Sequence, residues 1–235
     1  DKMLLCEKYD QRSDAFLLSQ IAKSNLMLDR REAVIAISKT TNSNLRSTIA
    51  GIAMKDKSPY VRIEGINMLS ELNEAGRNKV LKDVKRLAEK DTAFPVRAAA
   101  ISALAETYKL NEKKIYEAGW DAMSYEVNSE ALLAMSIFNR DESLALARKT
   151  LANSLRNEMY LACWQVLAKN GTAQDLNILT ESVLNSGSQW RNYGLVFIGR
   201  YGVYHPAQLS NNAIDKLLEI YSQNPSLKQR CKYVL

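Results

Sequence analysis

Two stretches decide the fold: Asp56-Lys57-Ser58-Pro59-Tyr60-Val61-Arg62 and Asp91-Thr92-Ala93-Phe94-Pro95-Val96-Arg97. Each places an aspartate six positions before an arginine, with a proline shortly before a Val-Arg pair. A small residue and then a leucine follow each valine at four-residue steps, which marks one stripe of an α-helix. The prolines fall in the first helical turn, where a missing N–H is harmless. Both stretches therefore predict the start of a helix with a buried stripe.

The same frame recurs along the chain at steps of 31 to 37 residues. Its anchor residues are Asp29, Val61, Val96, Val127, Met159, Trp190 and Leu227. Four positions after an anchor stands a small residue, which allows a neighbouring helix to approach closely: Ala33, Gly65, Ala100, Ala131, Cys163 and Gly194. Other apolar-periodic segments alternate with these, at 14–23, 44–54, 74–89, 111–123, 142–152, 173–184 and 206–221. The pattern predicts an all-α protein, an α-solenoid of about seven helical hairpins that bury their apolar faces against one another.

The two quoted stretches resemble the hallmark of HEAT repeats, in which an aspartate and an arginine six positions apart form a ladder between adjacent units. This resemblance implies a HEAT-like (armadillo-like) repeat domain, expected over residues 11–235, with an α-α superhelical architecture. Asn128 and Tyr160 replace the arginine in the middle of the chain, so a continuous ladder is not expected there. Because both ends look cut, we expect a fragment of a longer protein, with residues 1–10 the end of a preceding domain or a linker.

Composition narrows the class further. Nine glycines and four prolines are few for 235 residues, which favours helices over strands joined by turns. There is no run of about 18 apolar residues, so no membrane span is expected. The net charge of +6 comes from 32 basic residues mixed with 26 acidic ones, without a dense basic run, so nucleic acid is not the expected partner. The expected location is soluble, cytoplasmic or periplasmic.

No residue pattern indicates a catalytic, cofactor-binding or metal site. His205 is the only histidine, and Cys6, Cys163 and Cys231 are far apart. Cys163 and Cys231 occupy small-residue positions of the repeat, which predicts a packing role. We therefore expect a non-catalytic chain that needs no cofactor.

A second resemblance concerns the first 33 residues. The run Asp1-Lys2-Met3-Leu4-Leu5-Cys6-Glu7-Lys8, then Phe16 and Gln20, then Leu28-Asp29-Arg30-Arg31-Glu32-Ala33 looks like one junction in bacterial relatives of aminopeptidase N. There a β-sandwich ends and a C-terminal helical-repeat domain begins. The resemblance implies a parent zinc metallopeptidase, or an inactive relative, whose upstream catalytic site this domain braces or covers. The HExxH and GxMEN signatures of that family are absent, so no catalytic residue is carried over.

Two alternatives stand beside that interpretation. One is a free-standing HEAT-repeat scaffold that binds a protein or peptide on its concave face. The other is a HEAT-like DNA glycosylase, for which Trp120, Trp164 and Trp190 would be the lesion-packing residues. It is disfavoured because Trp164 falls on the predicted buried stripe and Trp190 on an anchor position. The sequence sets no oligomeric state.

The residue after each anchor defines a candidate site. These residues are Arg30, Arg62, Arg97, Asn128, Tyr160, Arg191 and Lys228. If the second helices line a concave face, the row would repeat about every 10 Å, the usual separation of packed helices, and would hold an extended peptide or an acidic segment. In the strong copies the same arginines would instead form the Asp–Arg ladder between repeats.

Overall fold

A computed structural model describes residues 11–153 and 159–234. Helices and short connections make up these residues, and no strand occurs among them. The predicted all-α class is confirmed. Residues 1–10, predicted to end a preceding domain or to form a linker, lie outside the described part of the chain, as does Cys6.

The helices follow one another in the predicted order of first and second members of a hairpin. The first members are α1 (Asp14–Lys23), α3 (Ser43–Ala53), α5 (Glu74–Lys90), α7 (Lys113–Trp120), α9 (Arg140–Leu151), α11 (Ala173–Asn185) and α13 (Ala207–Gln223). The second members are α2 (Met27–Ile37), α4 (Pro59–Asn67), α6 (Phe94–Ser102), α8 (Tyr125–Phe138), α10 (Tyr160–Asn170), α12 (Ser188–Tyr204) and α14 (Lys228–Val234). The α4 helix continues as a 3₁₀ turn over Met68–Glu71, and α6 continues as a π-helical turn over Ala103–Thr107.

Short polar side chains begin several of the helices. Asn42, Asn73 and Ser124 accept hydrogen bonds from backbone N–H groups of the first turn that have no partner within the helix. Asp56 and Asp91, the first residues of the two stretches quoted from the sequence, lie in the loops before α4 and α6, two residues ahead of the N-cap residues Ser58 and Ala93. Each aspartate accepts the backbone N–H two residues on, an Asx turn that shapes the loop.

The small residues of the repeat frame are the points of closest helix approach. Ala33, Ala100, Ala131 and Cys163 are buried, and so are the two glycines of the series. A Cβ added to Gly65 would lie 2.8 Å from the backbone nitrogen of Met54, which leaves no room for a side chain. The packing reason inferred from the sequence is therefore confirmed.

The chain divides after Gly119 into two compact units. In the first unit, first helices pack on first helices (α3 on α5) and second helices on second helices (α2 on α4, α4 on α6). The second unit repeats this arrangement, with α11 on α13 and with α8, α10, α12 and α14 packed in succession. The boundary falls one residue before the end of α7. The fourth predicted hairpin is therefore divided, with nearly all of α7 in the first unit and α8 in the second.

Candidate functional site

The arginine row of the sequence turns inward in the first unit. Arg30 is only 4% exposed, and its Nε and Nη2 donate to the two carboxylate oxygens of Asp56 at 2.7 and 2.9 Å. Its Nη1 donates to the backbone carbonyls of Ser24 and Asn25, in the loop before its own helix. One guanidinium thus fastens its own interhelical loop and the loop of the next hairpin.

Arg62 repeats this arrangement one hairpin later. Its Nε and Nη2 donate to Asp91 at 2.8 and 2.7 Å, and its Nη1 donates to the carbonyls of Asp56 and Lys57. The six-residue spacing from Asp56 to Arg62 follows from this geometry, because it places the guanidinium over the carbonyl of the aspartate in its own loop. The ladder implied by the HEAT resemblance is present in this unit.

Further along the row, the bond to the segment that precedes the helix recurs. Arg97 reaches the carbonyl of Ala88, and Asn128 donates to the carbonyls of Trp120 and Ala122 at 2.7 and 2.9 Å. Arg191 donates to the carbonyl of Ser186. At Asn128 a shorter amide thus makes the bonds to the preceding loop that a guanidinium makes at Arg30 and Arg62.

Two other members of the row, Tyr160 and Lys228, differ from the rest. Tyr160 stacks on Trp164 at a centroid distance of 5.0 Å, and it meets Trp190 edge to face with the ring centroids 6.5 Å apart. Lys228 begins α14, but its side chain lies outside the described part of the structure. The row is therefore not one uniform surface: Arg30 and Arg62 are occupied in the ladder, and a partner-binding role for the row stays a prediction.

An ion pair that the frame did not predict links two hairpins of the second unit. Arg148 of α9 donates to both carboxylate oxygens of Asp175 at 2.6 and 2.8 Å, and the Asp175 side chain is fully buried. Asp175 also accepts the backbone N–H and the hydroxyl of Thr172, completing a capping box at the start of α11. The arginine here comes from a first helix, so the pair falls outside the repeat pattern, and only the Thr172-x-x-Asp175 spacing signalled it.

Ion pairs and hydrogen bonds lower the pKa values of the Asp175 and Asp56 carboxyls. Burial alone would raise the pKa of Asp175, but hydrogen bonds from Arg148 and Thr172 and the attraction of Arg148 lower it below its ordinary value. The pKa of Asp56 is lowered in the same way, against the effect of burial, by Arg30 and by the N–H of Ser58. Both carboxylates therefore stabilise the folded state in their charged form.

A dependence of stability on pH follows for Asp175. Because its pKa is lower in the folded chain than the unfolded value of about 3.9, its contribution is complete above that value and is lost as the pH falls through the folded pKa. We expect Asp175→Asn to reduce the free energy of unfolding at pH 7 and to flatten its decline between pH 5 and pH 3, measured by urea titration. Asp215→Asn, at an exposed position of α13, is the control and should keep the wild-type slope. An unchanged slope in Asp175→Asn would contradict the assignment.

A groove in the first unit is lined by α3, by Lys55 in the loop after it and by α5. Two adjoining cavities of ≈ 280 Å³ and ≈ 590 Å³ form it, and they share Lys55, Lys79 and Asp83. The smaller cavity is lined by neutral residues as well: Ser47, Thr48, Gly51, Ile52 and Val80. The larger one is lined by charged residues only, adding Lys82, Lys85, Arg86, Glu89 and Lys90. We call the two together the α3–α5 groove.

The apolar part of this groove is accessible. Ile52 is 45% exposed although it lies beside the buried Val80. Gly51 carries no side chain and keeps the space above Val80 open. An exposed apolar floor with a polar rim is a common composition for a protein-binding surface.

The remaining candidates from the sequence have structural roles. Cys163 and Cys231 are buried and free, and burial raises the pKa of the Cys163 thiol to about 12, so their predicted packing role is confirmed. The Nε2 atom of His205 lies 3.0 Å from the carbonyl oxygen of Ala168, and the imidazole packs on Tyr201. Trp164 is buried as predicted.

Neither a metal-binding cluster nor a membrane-spanning helix is found among the described residues. No group of three or more His, Cys, Asp or Glu side chains there has the arrangement of a metal site. None of the described helices combines the length and the apolar character needed to cross a membrane.

Comparison with known families supports the fold. A family model described as HEAT repeats matches residues 15–105, which is the part of the chain that contains the Asp–Arg ladder. No curated protein and no solved structure matches the chain. Together with the helical pairs described above, the match confirms the predicted fold, an α-solenoid of HEAT-like hairpins.

Proposed function

We propose that this protein is a non-catalytic HEAT-like scaffold that binds a protein partner through the α3–α5 groove of its first unit. The observation that carries the proposal is the groove itself, where the exposed Ile52 and the unsubstituted Gly51 form an apolar floor beside a charged rim. The Asp–Arg ladder lies outside the groove, in the loops before the second helices. The exposed side chains of the groove can therefore contact a partner without breaking the ladder.

Site-specific photo-crosslinking in cells of the source organism tests this proposal. A benzophenone amino acid replaces Ile52 in the groove, and in a control chain it replaces Tyr60, which is 61% exposed and does not line the groove. We expect one discrete adduct from position 52, identified by mass spectrometry, and none from position 60.

A second variant establishes that the adduct depends on the groove. Thr48→Trp places an indole over the groove from an exposed position of α3, whereas Leu28→Trp adds the same group to an exposed position of α2. The adduct should disappear with the first variant and persist with the second. Adducts from position 60 alone, or adducts that survive Thr48→Trp, would show that partners bind elsewhere.

A narrower form of the proposal makes the partner the catalytic domain of an aminopeptidase-N-like chain. Its support is the resemblance of residues 1–33 to the junction before such a domain, of which residues 1–10 lie outside the described structure. The open reading frame decides this form directly. An HExxH signature upstream of Asp1 would support it, and a start codon immediately before Asp1 would contradict it.

A further inference from the structure

The charges around the α3–α5 groove are strongly one-sided. Six of the eight side chains lining its larger cavity are basic, Lys55, Lys79, Lys82, Lys85, Arg86 and Lys90, and two are acidic, which leaves an excess of four positive charges. On α5, positions 79, 82, 86 and 90 follow steps of three and four residues, so they share one face of the helix. At a rise of about 1.5 Å per residue this face extends for about 17 Å, or three helical turns.

The acidic side chains of the chain itself neutralise only part of this charge. Asp83 serves two cations, Lys55 at 3.0 Å and Arg86 at 3.8 Å, and Lys85 pairs with Glu112. Lys79 donates to the side-chain oxygen of Asn44, which is neutral. Within the described residues Lys82 and Lys90 have no ion pair and no hydrogen bond, and both are exposed. The groove therefore presents unpaired ammonium groups beside an apolar floor.

We infer that the α3–α5 groove binds an acidic amphipathic helix of a partner protein, an inference that rests on the scaffold function proposed above. Carboxylates at three- and four-residue steps would face Lys79, Lys82 and Lys90, and an apolar side chain of the same helix would cover Ile52. Such a ligand covers the apolar floor of the groove and pairs with its lysines, whereas an uncharged helix would leave the groove lysines unpaired.

The composition of the groove favours this ligand over nucleic acid. No aromatic residue is among the described residues that line it, so bases have no platform on which to stack. Asp83 and Glu89 also interrupt the positive charge, and a phosphate backbone carries negative charge at every step. A peptide can place a neutral or basic side chain opposite each of them.

Fluorescence anisotropy with the full chain tests the inference. The probe is a labelled amphipathic peptide of about 14 residues whose glutamates repeat at the spacing of the lysines, with leucines on the adjoining stripe. We expect saturable binding that weakens as salt is raised. A second peptide with glutamine in place of every glutamate should bind at least about tenfold more weakly, because the ammonium groups then gain no counter-charge.

Charge-reversal variants locate the binding. The double variant Lys82→Glu, Lys90→Glu should bind the acidic peptide with an affinity at least about tenfold lower than that of the wild type. The matched control, Lys23→Glu with Lys114→Glu, makes the same change in net charge at exposed positions outside the groove and should have little effect. Helical circular dichroism and thermal melting verify that both double variants are folded.

Three outcomes would overturn the inference. They are equal affinity for the glutamate and glutamine peptides, equal weakening by both double variants, and tighter binding of a labelled DNA duplex that is lost in the groove variant. None of these would by itself remove the proposed scaffold function. That function fails only if the crosslinks from position 52 are also absent or insensitive to Thr48→Trp.

Discussion

Replacing Asp91 with alanine will lower the free energy of unfolding by about 3 to 5 kcal/mol, the usual cost of removing one partner from a buried ion pair. The Asp91 side chain is 4% exposed and that of Arg62 is 11% exposed, so the pair is almost entirely removed from water. The variant leaves the Nε and Nη2 groups of Arg62 without their acceptors. Urea titration at pH 7, followed by helical circular dichroism, measures the loss.

Two further variants separate this effect from a general sensitivity to charge removal. Glu89→Ala removes an exposed carboxylate from the neighbouring α5 helix and should change stability by no more than about 0.5 kcal/mol. Combining Asp91→Leu with Arg62→Met should recover part of the loss, because no charge is then left buried and alone. A loss in Asp91→Ala no larger than that in Glu89→Ala would contradict a stabilising ladder.

Adding one methyl group at each of two glycines of the first unit should have opposite effects. In Gly65→Ala the new Cβ would lie 2.8 Å from the Met54 nitrogen and 3.0 Å from the Ala50 oxygen, so α3 and α4 must move apart, and we expect a loss of about 1 to 3 kcal/mol. In Gly51→Ala the Cβ meets Val80 at an ordinary 3.5 Å. Because alanine has a better helix propensity than glycine, this substitution should raise the free energy of unfolding by as much as about 1 kcal/mol.

The glycine pair is informative because the two substitutions are chemically identical. In thermal and urea unfolding, Gly65→Ala should lower stability and Gly51→Ala should raise it. Equal destabilisation would mean that the contact at Gly65 does not limit the approach of the helices. Ala100→Leu, at the same frame position one hairpin later, should overpack the helix contact and lower the free energy of unfolding by an amount similar to that of Gly65→Ala.

Much of the fold was predictable because the repeat frame consists of residues only a few positions apart in the sequence. The α1 helix has the predicted bounds, Asp14–Lys23, and α11 extends one residue beyond its prediction. The buried stripe was predictable for the same reason, since residues four apart share a helix face whatever the tertiary structure. The two prolines lie in the first helical turn as predicted, because α4 begins at Pro59 and Pro95 is the second residue of α6.

The proposed binding surface was less predictable from the sequence, because it depends on which helix faces meet. A long arginine side chain can point outward or inward, and the spacing that located Arg30 and Arg62 does not distinguish the two. The pair Arg148–Asp175 escaped prediction because its arginine belongs to a first helix. The α3–α5 groove left only a faint signal, the three- and four-residue steps of lysine and arginine on α5, which are spread among acidic residues and form no dense run.

The ladder also gives the first unit a direction. In each rung the arginine belongs to the earlier hairpin and the carboxylate to the later one. Removing the later hairpin leaves the arginine still bonded to the carbonyls of its own loop, whereas removing the earlier one leaves Asp56 with only the N–H of Ser58. Shortening the chain from either side therefore leaves one charge of a rung without its counter-charge, but the arginine keeps two hydrogen bonds to its own loop and the aspartate keeps one. Fraying is accordingly expected to propagate more easily from the amino-terminal end of this unit than from its carboxy-terminal end.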